Sequence, residues 1–222
     1  MQEFRVPLFP LPGVTFFPET ILPLHIFEPR YRQMVADCLA GDRWLAVGML
    51  RPGWEKDYQG RPPVHPIAGA GEIIQAESLA DGRYNLLLDG RSRVRILVED
   101  PPGERAYRLV RAERLADRGP SPGDRTFPER LQELRTAHAR LLVALGQSHP
   151  DVVGRLTVAG ASPGAVIDRI VSAVVPDAEV RQRVLEAVDV SERLDLAIGA
   201  LSELLGMVAG REAEEEDESD DA

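Results

Sequence analysis

The sequence predicts an α+β protein, a compact β-barrel or sandwich with one early helix followed by an all-α helical bundle. Three observations carry that expectation. Up to about residue 117 the apolar residues fall in short extended runs punctuated by Pro and Gly; residues 119–124 read GPSPGD; beyond them the apolar residues recur at helical spacing behind N-capping residues. The boundaries expected are 1–118 for the barrel, 119–125 for a linker, 126–210 for the bundle and 211–222 for an acidic, disordered tail.

The barrel opens on LFPLPGVTFFPETILPLHIFEPRY, residues 8–31, where five prolines stand among apolar residues. Proline fixes φ and has no N–H, so a long helix is excluded and none of the five should lie mid-ladder in a central strand. Short extended pieces at edges and corners remain, their rims protected from pairing with other chains. Residues 29–41, PRYRQMVADCLAG, read as a helix: Pro29 suits its first turn, Tyr31, Met34, Val35, Cys38 and Leu39 form its apolar stripe, and Gly41 caps it. The strands expected are FRVPLFPL, TILPLHIF, WLAVGML, IAGAGEIIQAESL, RYNLLLDG and RSRVRILVED, with turns at Asp81-Gly82 and Asp89-Gly90.

In the second half Thr126 and Glu129 read as a capping box ahead of Leu131, Leu134, His138, Leu141, Leu142 and Leu145, with Gly146 closing that helix. Ser148 and Asp151 repeat the capping pattern for a short helix, Ser162-Pro163 begins another, Asp177 a fourth, and Asp189 or Ser191 the last. Five helices with one apolar face each make a small bundle.

Charge and composition limit the function. The net charge is −10, of which the final run REAEEEDESDDA supplies −7, eight acids against Arg211. An acidic chain with no long basic run argues against nucleic-acid binding. One cysteine, Cys38, excludes an intramolecular disulfide, and no apolar run is long enough to span a bilayer, so a cytoplasmic, soluble protein is expected. No cofactor or metal is expected, because His25, His65, His138 and His149 are widely spaced and no Cys/His pair has ligand spacing. The G-x-S-x-G match at Gly160 to Gly164 has no histidine after it in the chain, and Ser162 reads as an N-cap with Pro163 at the first helical position.

Two groups of side chains are candidate binding residues. Phe16 and Phe17 follow the Pro12-Gly13 turn, and Trp54 and Tyr58 stand in the loop RPGWEKDYQGRPP; all four lie outside any amphipathic pattern and are expected to contact a peptide or protein partner. Arg91, Arg93 and Arg95 alternate along one strand, so their guanidinium groups should share a face suited to an anionic ligand, with Asp89, Glu99 and Asp100 near enough to neutralise it.

The run PLFPLPGVTFFPETILPLHIFEPRYRQM, followed at a distance by YNLLLDGRSRVRI, resembles the signature of the Lon protease N-terminal (substrate-binding) domain; PDAEVRQRVLEAVDVSERLDLAIGAL is similar to a helical segment of the same family. The resemblance implies a PUA-like pseudo-barrel followed by a helical bundle. It also implies a non-catalytic module that holds unfolded or extended protein segments, alone or as an adaptor to a full-length protease. Full-length Lon adds an ATPase and a protease module. A Walker A loop needs a phosphate-binding lysine, the family's proteolysis implies a Ser-Lys dyad, and the one lysine here, Lys56, is placed for neither. The expectation is a stand-alone Lon-domain protein that is not an enzyme. PUA-like barrels also bind RNA, which makes nucleic-acid or small-ligand binding the alternative; a peptidase is the reading that the missing dyad opposes.

Overall fold

The computed structural model describes residues 3–103, 105–121, 123–146 and 160–220, with side chains described as far as Gly210. The chain divides into two units, Met1–Ala116 and Asp117–Ala222. In the first, the strands are β1 (Glu3–Leu11), β2 (Ile21–Ile26), β3 (Trp44–Met49), β4 (Ile67–Ser78), β5 (Tyr84–Glu99) and β6 (Arg108–Leu115). Helix α1 (Pro29–Ala40) joins β2 to β3, and a 3₁₀ turn, Trp54–Asp57, lies between β3 and β4.

The six strands run in the order β2-β5-β4-β3-β1-β6, and β5 also pairs with β6, so five of them close into a ring with β2 attached to the outside of β5. The β1–β3 pairing is parallel and the others are antiparallel. Small side chains fill the ring: Ala46, Ala68, Ala70 and Ala112 pack with Val6, Leu8, Val94 and Val110, as a narrow barrel requires. A second cluster places Tyr31, Met34, Val35 and Cys38 of α1 against Phe9, Leu45, Val47, Ile73 and Leu88. Leu45 and Val47 belong to this cluster and Ala46 to the first, so β3 is buried on both faces.

The prolines are placed differently from the expectation. β1 pairs with two neighbours and nevertheless carries Pro7 and Pro10. Its pairing is staggered: β6 takes Glu3 to Leu8 and β3 takes Leu8 to Leu11, so each proline lies where only one neighbour is paired and its missing N–H falls on the open side. Pro23 is on the edge strand β2, opposite Leu87.

Two further sequence readings need correction. Asp89-Gly90 is not a turn, because β5 runs through it for sixteen residues with a register shift opposite Ala70/Gly71. A Cβ on Gly90 would lie 3.0 Å from the carbonyl carbon of Phe17, so this glycine serves close backbone approach rather than reversal. The Asp81-Gly82 turn is present, with Gly82 at φ 78°. Strand β6 was not anticipated.

The second unit holds α2 (Phe127–Ala144), α3 (Pro163–Val174), α4 (Ala178–Glu186) and α5 (Val190–Asp220). The short helix expected at Ser148 and Asp151 lies outside the described residues. Ser162 caps α3 by accepting from the Ala165 N–H at 3.2 Å, Asp177 caps α4 by accepting from Glu179 and Val180, and Asp189 accepts from Ser191 and Glu192 at the start of α5. Thr126 does not form the expected capping box. Its backbone is already helical, and Asp124 instead accepts from the N–H and hydroxyl of Thr126 and from the Phe127 N–H. α5 continues to Asp220, over most of the run expected as a disordered tail. Ahead of the expected linker, Asp117 and Arg118 already belong to this unit: Arg118 bonds Val188 and Val190 through its backbone, and Asp117 accepts from Arg193.

Candidate functional site

Phe16 and Phe17 are 1% and 0% exposed, so they present no ring to a partner. Phe16 belongs to the cluster beneath α1, and its carbonyl fits over Gly69, where a Cβ would stand 2.7 Å from the carbonyl carbon. The turn at Pro12-Gly13 carries both phenylalanines inward, which lack of amphipathic spacing could not reveal.

Nor do the three strand arginines make a common surface. Arg93 is buried, while Arg91 pairs with Asp89 and Glu72 and Arg95 with Glu113. The β4–β5 register shifts between Ser92 and Gly90, so Arg91 falls in the irregularity while Arg93, paired with Gly69 and Leu115, lies in the regular ladder; the strict alternation expected of the three is broken there. Of the neutralising acids expected, Asp89 is used here; Glu99 and Asp100 serve Arg61, Arg108 and Arg5.

Trp54 and Tyr58 do come together. Their rings meet edge to face at 5.5 Å, both half-buried. The Tyr58 hydroxyl donates to Glu28 Oε1 at 2.6 Å, and this bond raises the phenol's pKa above its ordinary value. The Arg30 guanidinium lies over the Tyr31 ring at 4.6 Å and the Tyr58 ring at 5.3 Å while bonding Glu28 at 3.0 Å. The 51–64 loop is thereby fastened to the first turn of α1.

Beside this contact a cleft of about 530 Å³ is lined by Arg30, Tyr31, Gln59, Gly60, Arg61, Pro102, Arg105, Ala106, Tyr107 and Arg108. Arg108 grips Glu99 with Nε at 2.9 Å and Nη2 at 2.5 Å and donates from Nη1 to the Pro62 carbonyl at 2.8 Å. Arg61 Nη1 donates to the same Glu99 at 2.9 Å and to the Asp100 carbonyl at 2.6 Å. Burial pushes the Tyr31 and Tyr107 phenols up to about 12, so both stay protonated, and Tyr107 donates to Asp37 at 2.7 Å. Sequence reading assigned no site role to Arg30, Arg61, Arg105 or Arg108. The available signal was ERAYR at residues 104–108, in a proline- and glycine-flanked connection that fits neither structural period.

A second concavity, about 410 Å³, lies on the outer face of β2, β5 and β4, lined by Pro23, Leu24, His25, Gln75, Glu77, Asn85, Leu86 and Leu87. Ile21, Pro23 and His25 alternate onto this face of the edge strand, and Phe27 stacks on His25 with centroids 6.3 Å apart. Phe27 is 60% exposed, Ile21 53% and Ile74, at the β4 bulge, 46%. His25 is held by Asn85 at 2.8 Å, and Asn85 donates to Glu77 at 2.9 Å. These polar groups fix the floor of an otherwise apolar surface.

Cys38 is buried with its thiol pushed up to about 12 by burial, which leaves it unreactive at neutral pH. Among the described residues no group of three His, Cys, Asp or Glu side chains could hold a metal ion, and no helix is long and apolar enough to cross a membrane.

Compared with known proteins, residues 5–203 match the family model of the ATP-dependent protease La (LON) substrate-binding domain. The Lon protease of Desulfosudis oleivorans is 26% identical over 192 residues, which cover 85% of this chain and 22% of that protein. Lon protease 2 of Myxococcus xanthus is 26% identical over 199 residues, covering 89% of this chain and 23% of that protein. The chain therefore spans less than a quarter of these relatives' length. The N-terminal domain of the Mycobacterium avium complex Lon protease superposes with a TM-score of 0.67 at 18% identity, covering 90% of this chain and 98% of that one. The Lon N-terminal domain protein from Xanthomonas campestris gives 0.60 at 21%, covering 88% and 98%.

Proposed function

Because this chain belongs to the family of Lon substrate-binding domains, we propose that it recognises extended, apolar segments of other proteins and catalyses no step itself. The observation that carries this reading is the concavity on β2, β5 and β4, floored by Pro23, Leu24, Leu86 and Leu87, with Ile21 and Phe27 exposed at the two ends of β2 and Ile74 exposed at the β4 bulge. A concavity with an apolar floor and exposed apolar residues on the strands around it marks a contact surface in a way that one exposed residue alone does not. An extended segment laid along β2 meets a strand whose outer edge is unpaired among the described residues, and its alternate side chains reach the concavity. Trp54 and Tyr58, fastened to α1, supply a second contact. On this reading the chain is a substrate binder or adaptor in protein quality control, its partners being unfolded protein and a full-length protease.

The test is affinity for an unfolded protein, β-casein, measured with Phe27→Ser, Ile21→Ser and Trp54→Ala. Truncating a contact aromatic costs binding about 2 kcal/mol, so Phe27→Ser should weaken binding at least tenfold while the thermal midpoint scarcely moves. Unchanged affinity in both β2-face variants removes the surface from consideration.

A further inference from the structure

Guanidinium groups converge on the cleft beside α1 from three separate parts of the chain: Arg30 from the first turn of α1, Arg61 from the 51–64 loop, and Arg105 and Arg108 from the connection entering β6. Among the described residues that line it there is no carboxylate. Among the described residues the carboxylates that ion-pair with these arginines are Glu28, which takes Arg30, and Glu99, which takes both Arg61 and Arg108. Among the described residues two acids thus serve three of the four cations, and both acids lie outside the lining, where they hold the guanidinium groups of Arg30, Arg61 and Arg108. Arg61 spends Nη1 on Glu99 and the Asp100 carbonyl, and Arg30 is sandwiched by two tyrosine rings. Held arginines lose little side-chain freedom when a ligand arrives. The volume lies within the usual range of ligand sites, about 300–1,000 Å³.

We propose that this cleft binds the carboxylate side chains of an acidic peptide segment, a second recognition site separate from the apolar face of β2. Carboxylate is the group these arginines are already seen to grip, Arg108 taking both oxygens of Glu99 through Nε and Nη2. Glu28, Glu99 and Asp37, immediately behind the lining, keep the positive excess small, and the chain as a whole carries −10. A densely charged phosphate backbone would meet that negative background, whereas one or two carboxylates match the excess available. Pro102 and Gly60, both exposed, offer uncharged surface for the peptide chain between the charges.

The experiment is fluorescence anisotropy of the full chain with three labelled probes, hexaglutamate, hexaglutamine and an oligouridylate, at low and high ionic strength. Hexaglutamate should bind, weaken as salt is raised, and lose about fivefold or more in affinity with Arg105→Gln and with Arg61→Gln, both solvent-accessible positions. Arg135→Gln, exposed on α2, should leave binding unchanged. Equal binding of hexaglutamate and hexaglutamine, tighter binding of the oligouridylate, no hexaglutamate binding, or no response to Arg105→Gln would each overturn the proposal. None of these probes has an apolar side chain, so failure here leaves the β-casein result untouched.

Discussion

Arg193 is a fully buried cation of the helical unit, and Arg193→Met should unfold that unit at temperatures where the barrel survives. The guanidinium is 0% exposed; Nε donates to the Ala187 carbonyl at 2.9 Å, Nη2 and Nη1 to the two oxygens of Asp117 at 2.6 and 2.9 Å, and Nη1 lies 3.5 Å from Asp168 Oδ2. Asp168 is 1% exposed, so removing Arg193 takes a cation away from a carboxylate that cannot turn to water. Breaking a buried pair from one side costs about 3–5 kcal/mol. Asp117 is 36% exposed, so its share is screened, and Asp117→Asn should cost only about 1 kcal/mol. For a unit of this size each kcal/mol shifts the midpoint by roughly 4–8 °C, so Arg193→Met should lower the helical transition by at least about 10 °C. Thermal scans followed by far-UV circular dichroism read the helices directly. The decisive comparison is Arg193→Met with Asp168→Leu, which removes both charges and should recover much of the loss. If the single variant loses under about 1 kcal/mol, or the double variant fares no better than the single, the buried charge is not the cause.

Two further outcomes are expected. His138 is buried on α2, its Nε2 has no hydrogen-bond partner among the described residues, and burial holds its pKa below the ordinary value of 6.5. The unfolded chain therefore takes up the proton first: the contribution is complete above pH 6.5 and falls, by up to about 1.4 kcal/mol per pH unit, as the pH drops below it. Urea midpoints from pH 8 to 5 should show a shallower decline in His138→Leu than in the parent, and parallel curves would refute the assignment. Gly69→Ala would press a methyl against the Phe16 carbonyl and should cost about 1–3 kcal/mol in barrel stability; a neutral result would mean the Phe16 segment moves freely over β4.

Much of the fold was legible because local chemistry and tertiary packing agreed. α1 begins at Pro29 and buries Tyr31, Met34, Val35 and Cys38, as its spacing requires, and Ser162, Asp177 and Asp189 cap where short polar side chains precede apolar stripes. Legibility failed where a residue's usual local meaning was overridden. Gly90 follows an aspartate and reads as a turn, yet it is needed bare because the Phe17 carbonyl crosses it. Strand β6 escaped because its buried alternation is written partly in charge: Arg108 and Glu113 are buried with partners, so RLVRAERL does not look apolar on either face. The site was the least legible part. The guanidinium groups of the cleft come from three separate stretches of sequence, around residues 30, 61 and 105–108, whereas Arg91, Arg93 and Arg95, which alternate along one stretch, are separated by burial and by different carboxylates.

The prolines link the barrel's closure to its exposed edge. β5 is long enough to pair with β2, β4 and β6, and that reach closes the ring while leaving β2 as the strand with an open side. An open strand is a hazard as well as an opportunity, since any extended chain could pair with it. Pro23 sits in the middle of β2, opposite Leu87, and has no N–H. In an antiparallel pair successive residues turn their backbone groups to alternate sides. A residue without an N–H fits best where that group would point away from β5, so the outward side carries a gap at Pro23, with Ile21 and His25 flanking it. A visiting strand finds acceptors along the edge but a break in its donors, so backbone pairing alone holds it weakly. On the reading proposed above, lasting attachment would depend on the side chains it places against Phe27, Ile21 and the concavity, so the gap at Pro23 would turn an edge open to any extended chain into one that favours apolar segments.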